Sequence, residues 1–486
     1  MIYKLRPYQE DCVKSISDYI NSDRHDPVLI VGPVGCGKSI LIAEAARLMG
    51  DKTLILQPSK ELLQQNHDKI TSYGIPATIY SASCGKKELS NMIYATLGSI
   101  KKVVDKLKEM GIRNVLIDEA HAGYSPEDGS EFMTFMNELK PKKVIGFTAT
   151  PCRLKNMSIG QTSYSQLNFI TRMRPVYFKN LIHVIQVEEM IRQGFWTPLK
   201  YETWDFNGDA LKLNSNGSEY TAESISEAVR KNGLNNLILR RLMVLKDVCR
   251  SILVFMDSVE SCNTAAEWMN AKICAGMAEV VHGGTPKKQR EAIVEGFKSG
   301  KTKVVFNYSA LGTGFDHPGL DCVIVGRPTF SFSSFYQWLG RAVRIKDGKD
   351  SALVVDCCNN SSRFGDIRKL SIENYKGYGW GMFIGDKLIT NIPMGDKVTK
   401  TDLDIKAAKK DRRRGLAQGV TAAPVPGRPD HPLGSTVMTF GKYCGWMFHS
   451  IPVSYFKFIN ETFDWDNDRN KDIKEYIDFL IKNNRL

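Results

Sequence analysis

Short, uninterrupted apolar runs recur along the first 150 positions, each closed by turn residues and followed by a helix-length stretch. They fall at residues 28–31, 54–56, 77–81, 93–96, 114–117 and 143–147. Runs this short without alternation read as strands buried on both faces. Strands alternating with helices predict a doubly wound parallel sheet. A second series starts near Ala222, with strands at 252–255, 280–284, 303–306, 323–325 and 353–356. Helices are expected between them at 258–271, 287–297 and 334–343. The fold class predicted is α/β, with two tandem doubly wound domains over 1–205 and 206–360. Residues 155–221 are polar, rich in Asn, Gly and Ser, and read as loops. Beyond 360 the pattern changes. A small β appendage is expected over 361–395, a basic and proline-rich linker over 396–435, and a small α/β module over 436–486.

Composition narrows the class. At 486 residues with 42% hydrophobic and 24% charged residues, the chain can bury several cores. No apolar run is long enough to cross a bilayer and the first residues lack a secretory apolar segment, so a cytoplasmic protein is expected, with no membrane partner. The 11 cysteines are scattered without a C-x-x-C pair, which predicts reduced thiols and no zinc site. A net charge of +13 favours a polyanionic partner, although it also serves solubility.

The chemistry sits where the strands end. Residues 32–39, GPVGCGKS, fit G-x-x-x-x-G-K-[ST] directly after one strand and before one helix. Gly32, Gly35 and Gly37 let backbone amides curl around phosphate, Lys38 reaches the outer phosphates, and Ser39 ligates Mg²⁺. Asp118 and Glu119 end another strand, one suited to Mg²⁺ and the other to activating water. Gln9, shortly before the loop, has an amide that can read an adenine edge. Thr96 and Ser99 carry hydroxyls suited to sugar–phosphate contacts at a strand end. Gln337, Arg341 and Arg344, at helical spacing, are expected on one helical face, with guanidiniums lacking acidic neighbours and suited to phosphate charge. Five aromatic residues at the start of that helix could stack on bases, though they equally suit a core.

Taken together, LRPYQ, GPVGCGKS, QPSKELLQQ, ATLGS, DEAH, TAT, ALGTGFD and QWLGRAVR occur in the order seen in superfamily 2 helicases and translocases. The chain resembles that superfamily over roughly residues 3–356, and within it the neighbourhood of RadD, XPB and phage branch-migration helicases. The resemblance implies two RecA-like domains with ATP and Mg²⁺ between them and nucleic acid across the top. It implies that Gln9 reads adenine, that His121, Thr148 and Thr150 couple hydrolysis to movement, and that Gly314 and Asp316 sense nucleotide. It places Thr313 on the nucleic-acid strand, Gln337 at the cleft, and Arg341 and Arg344 as fingers across it. The cysteine-rich zinc region that RadD-like proteins carry after the second domain has no counterpart here. The C-terminal module resembles a small FGKYxG domain and could dock a DNA fork or a protein partner. Forked or branched DNA is the expected substrate. RNA, or service as the DNA-stimulated motor of a restriction or defence assembly, remains open, and a nucleotide-gated binding protein is disfavoured by the complete set of hydrolytic residues.

Overall fold

The computed structural model describes residues 4–50, 52–159, 162–311, 315–407, 431–438, 443, 446–462, 471–483 and 486. It divides into two compact units, one of Met1–Asn374 with Trp380–Val398 and one of Tyr375–Gly379 with Thr399–Leu486.

The first unit is built on two sheets. Strands β1 (Val28–Val31), β2 (Thr53–Leu56), β3 (Thr78–Ser81), β4 (Lys86–Lys87), β5 (Met92–Ala95), β6 (Asn114–Ile117) and β7 (Lys143–Thr148) belong to the first sheet. After a long hairpin of β8 (Cys152–Ile159) and β9 (Thr162–Phe169), strand β10 (Asn180–Val184) returns to that sheet's edge. The order is β10-β1-β7-β6-β2-β5-β3-β4. Every pairing is parallel except that of β3 with β4. Strands β1, β2, β5, β6 and β7 are buried at every position, as their apolar runs demand. Register does the functional work. Val31 pairs with Thr148, Leu56 with Ile117, and Leu56 with Ala95. The residues after these strands therefore share one edge of the sheet, where ligands of open α/β sheets bind.

The second sheet, β11 (Leu199–Thr203), β12 (Ile252–Phe255), β13 (Ala278–His282), β14 (Val304–Tyr308), β15 (Cys322–Val325) and β16 (Ala352–Asp356), is parallel throughout in the order β11-β16-β15-β12-β14-β13. Its edge strand β11 lies inside the span expected for the first domain. Two expectations need correction. The stretch read as loops from 155 onward holds the end of an eight-residue antiparallel hairpin, β10, the helix Val187–Arg192 and β11. The helix expected over 334–343 is Phe332–Leu339, capped by the Ser331 hydroxyl accepting from Ser334 N. It stops at Gly340, a residue that disfavours helix. Arg341 and Arg344 thus lie in the turn beyond it rather than on one helical face with Gln337.

In the second unit the helices Val453–Thr462 and Lys471–Lys482 enclose a small core that includes Phe448, Phe456, Ile459, Tyr476 and Leu480. The basic run of the linker lies outside the described residues. No helix among the described residues is long and apolar enough to cross a membrane.

Candidate functional site

Where β1 ends, the chain turns through residues 32–39. Gly35 and Gly37 have φ of 84° and 83°, a region costly for residues with a Cβ. Gly37 also caps the helix Lys38–Met49, so loop amides and the positive end of a helix face one concavity. A Cβ on Gly32 would fall 2.7 Å from Cys36 Sγ, and one on Gly37 2.5 Å from Gln9 Nε2. Gln9 is buried against this loop. Its Nε2 donates to Cys36 O at 2.9 Å while its Oε1 accepts from Arg6 N at 3.0 Å. The Arg6 guanidinium lies 4.6 Å over the Phe195 ring. Both residues line a cavity of about 330 Å³ that also holds Lys38, Ser39, Asp118 and Glu119.

Lys38 Nζ lies 2.6 Å from Glu119 Oε1. Burial pulls the Lys38 ammonium down, but Glu119 and Asp118 beside it outweigh burial and hold it above the usual lysine range. Glu119 is held below the usual carboxylate range: burial opposes this, but Lys38 and His121 prevail. Its backbone is strained, with φ at 46°, which costs about 1–3 kcal/mol for a residue other than glycine. Asp118 is buried next to it. Its Oδ2 accepts from Asn66 Nδ2 at 3.0 Å, and its Oδ1 from Glu119 N at 2.9 Å. Burial, then the charge of Glu119, pushes Asp118 up to about 6. The oxygens of Ser39 and Asp118 are hard donors on one cavity wall, a set that fits Mg²⁺.

The opposite wall comes from the second sheet's domain. Asp316, Gln337, Gly340, Arg341 and Arg344 line the same cavity. Arg341 Nη1 donates to Phe315 O at 2.7 Å. Arg344, expected to lack an acidic neighbour, forms an ion pair with Asp316. Burial lowers both guanidiniums to about 10, so both stay charged at neutral pH. Lys349 Nζ holds this turn in place, donating to Ala342 O at 2.7 Å, Arg344 O at 2.8 Å and Pro318 O at 3.2 Å. Close packing joins the two walls. Trp196 Nε1 donates to Val34 O at 2.8 Å, and a Cβ on Gly340 would fall 2.6 Å from Val34 Cβ.

A hydroxyl relay crosses between the walls. His121 Nδ1 lies 2.8 Å from Thr148 Oγ1, and its Nε2 lies 3.2 Å from Ser333 Oγ. Thr150 Oγ1 is 3.1 Å from the same Ser333 hydroxyl. Burial lowers His121 to about 4, so the ring is neutral and can both donate and accept. Arg153, at the base of the β8–β9 hairpin, donates to Ala120 O at 3.1 Å and Tyr124 O at 2.6 Å. Along the hairpin, Asn156 Nδ2 donates to Asn216 O at 3.0 Å.

Thr96 and Ser99 gather with Ser81 and Ser83 at the ends of β5 and β3. Thr96 Oγ1 donates to Ser99 Oγ at 3.1 Å, and Ser99 Oγ accepts from Ala82 N at 3.0 Å. Thr313 and Gly314 lie outside the described residues. Asn66, Arg153, Ser333 and Lys349 were missed by sequence reasoning. Two had a neighbouring motif that could have drawn attention to them: Asn66 directly follows QPSKELLQQ, and Arg153 stands two residues after the TAT-Pro segment.

Residues 2–153 match the family described as type III restriction enzyme, res subunit, and residues 235–346 match the helicase conserved C-terminal domain. A 51.5 kDa protein of a Lactococcus phage is 25% identical over 332 residues, covering 68% of this chain and 65% of that one. The putative ATP-dependent helicase IRC3 of Saccharomyces cerevisiae is 23% identical over 378 residues, covering 74% and 52%. The chain thus spans between half and two thirds of the length of these relatives. Among solved structures, the DNA-bound ATP-dependent type ISP restriction-modification enzyme LlaBIII superposes with a TM-score of 0.54 at 15% identity, over 74% of this chain and 28% of that one. A fragment of a putative HsdR subunit of a type I restriction enzyme from Vibrio vulnificus gives 0.54 at 18% identity, over 75% and 66%. At that identity the likeness is one of fold.

Proposed function

We propose, from the premise that the chain belongs to superfamily 2 of the helicases, that it is an ATP-driven DNA translocase that remodels forked or branched DNA. The observation that carries this reading is the single cavity with Lys38, Asp118 and Glu119 on one wall and Gln337, Arg341 and Arg344 on the other. Gly35, Gly37 and Lys38 would hold the phosphates of ATP, and Gln9 the base. Ser39 and Asp118 would hold Mg²⁺, which when bound screens phosphate charge. Glu119 would take a proton from the attacking water. Arg341 and Arg344 would face the transferred phosphate from the second domain, so that turnover removes the charge holding the walls together. His121, Thr148 and Thr150 would pass that change through Ser333 to the helix Phe332–Leu339. The hydroxyls of Thr96 and Ser99, and Thr313 from the other domain, would grip one strand.

DNA is preferred to RNA because the type ISP enzyme it resembles in fold is described as bound to DNA; the net charge of +13 suits either polyanion. The two restriction-enzyme likenesses also favour a second reading, a DNA-stimulated motor that moves without separating strands. One assay separates these readings. ATP turnover is measured in parallel with no nucleic acid, single-stranded DNA, forked DNA, a four-way junction and RNA, alongside strand displacement on the fork. Stimulation greatest with forks or junctions, with displacement, is expected. Stimulation by any of these DNAs without displacement selects the motor, and stimulation by RNA alone overturns the DNA reading.

A further inference from the structure

The Asp118 carboxylate, on the cavity wall, has two hydrogen-bond donors among the described residues. Glu119 N donates to Oδ1 at 2.9 Å, and Asn66 Nδ2 to Oδ2 at 3.0 Å. The first is backbone and comes with the turn after β6. The second is a side chain from the helix Lys60–Ser72, which follows β2. That helix borders the cavity with Leu62, Gln65 and Lys69. Asn66 is no part of the lining and is 1% exposed. It meets the carboxylate from behind, where no nucleotide could touch it.

The Asn66 amide nitrogen carries two hydrogens, and the second goes to Gln57 Oε1 at 3.1 Å. Gln57 directly follows β2 and is itself buried. Its backbone N donates to Ala95 O at 2.9 Å, which fixes it beside the end of β5. The other halves of the two amides, Asn66 Oδ1 and Gln57 Nε2, are buried without a hydrogen-bond partner. Buried polar atoms are seldom left so. Turning both amides over would keep a bond between them, now from Gln57 to Asn66. It would also set an oxygen of Asn66 against the Asp118 carboxylate. The observed orientation therefore serves the carboxylate and leaves both amides half-bonded. An outer donor of this kind fixes a metal-binding carboxylate so that its remaining lone pairs point at the metal.

We propose that Asn66 is a positioning residue that orients Asp118 for Mg²⁺ from outside the cavity, and that Gln57 acts through it by holding the Asn66 amide. The inference rests on the reading of the cavity as an ATP and Mg²⁺ site. The test titrates Mg²⁺ into the full chain with a fluorescent ATP analogue and reads the tightening of nucleotide binding rather than turnover. Asn66→Leu, similar in branching but without a donor, should raise the Mg²⁺ concentration for half-maximal tightening roughly 10- to 100-fold, the usual loss when the outer partner of a metal ligand goes. Asn66→Ser, which keeps a donor, should fall between Leu and Asn. Nucleotide affinity in EDTA should stay that of the unsubstituted chain in both, which sets a misplaced carboxylate apart from a damaged fold. Gln57→Met should give a smaller shift in the same direction. The Gln57→Met/Asn66→Leu double variant should shift no further than Asn66→Leu alone, because Gln57 reaches Asp118 only through Asn66. An unaltered Mg²⁺ requirement in Asn66→Leu overturns the proposal. So does an equal loss of nucleotide affinity with and without Mg²⁺ in both Asn66 variants, because Asn66 would then support the fold alone. A double variant whose shift is the product of the single ones overturns the chain through Gln57. Nucleotide binding by the unsubstituted chain that does not respond to Mg²⁺ would instead overturn the reading of the cavity, and the proposal with it.

Discussion

At the scale of single residues, the cleft is a set of charges that already have partners. Lys38 is held by Glu119 at 2.6 Å, so a phosphate entering the cavity would compete with a carboxylate for it. Glu119→Gln should therefore abolish turnover yet tighten nucleotide binding by roughly fivefold, the worth of an ion pair of about 1 kcal/mol. Titration with a fluorescent ATP analogue reads this, and weaker binding would mean that the pair shapes the loop rather than blocking it. Lys349 makes the opposite kind of contact, closing three carbonyls around one ammonium. Burial, followed by the charges of Arg344 and Lys346 and opposed by Asp321, lowers it to about 8. Its proton is thus lost at lower pH than that of an ordinary lysine, and the neutral amine donates two hydrogens rather than three. ATP turnover should fall as pH rises through about 8. Lys349→Arg, charged throughout, should flatten that limb, and Lys349→Met should lower kcat roughly 10- to 100-fold with KM for ATP little changed, as expected when the charge-assisted bonds to all three carbonyls are lost. A KM effect alone would assign Lys349 to binding instead.

At the scale of elements, what could be read in the sequence was what chemistry fixes by spacing. The glycine loop, the Asp118–Glu119 pair and the apolar strands before them stand where the pattern put them, because a phosphate cradle tolerates little variation and doubly buried strands must be apolar. The β8–β9 hairpin was illegible. Its sequence, CRLKNMSIGQTSYSQLNF, alternates only in short pieces, Cys152/Leu154, Met157/Ile159 and Leu167/Phe169, with the phase broken at Lys155-Asn156 and among the polar residues 160–166, so no single run marks a half-buried strand. Ser333 and Asn66 were illegible for another reason. Their contacts with the DEAH segment run to His121 and Asp118, 212 and 52 positions away, which no local pattern encodes. The hairpin joins the carbonyls after Glu119 to the loop around Asn216. It thus bridges the segment after Glu119 and the loop that leads into the second sheet's domain. Arg153→Ala should leave ATP turnover within roughly threefold while lowering strand displacement per ATP consumed at least tenfold. Equal losses of both would make Arg153 a support for the cleft alone.

At the scale of the whole molecule, the two sheets of the first unit contribute residues to one cavity, and the second unit has a small core of its own. The aromatic cluster at 330–338 shows how composition misleads at this scale. Phe332, Phe335, Tyr336 and Trp338 are buried, with Trp338 stacked on Phe255 and Phe335 tilted against Phe364, and serve the core.

The contact between Gly340 and Val34 has a consequence for heredity. Room for any side chain at 340 is absent because Val34 Cβ would stand 2.6 Å from it. Gly340→Ala should therefore score as a loss-of-function allele although it removes no charged or hydrogen-bonding side chain. Val34→Gly, which empties the same space from the other domain, should rescue that allele and no allele of Lys38 or Arg344. The two halves of the cleft would then evolve as a pair, each tolerating change only when the other has already made room.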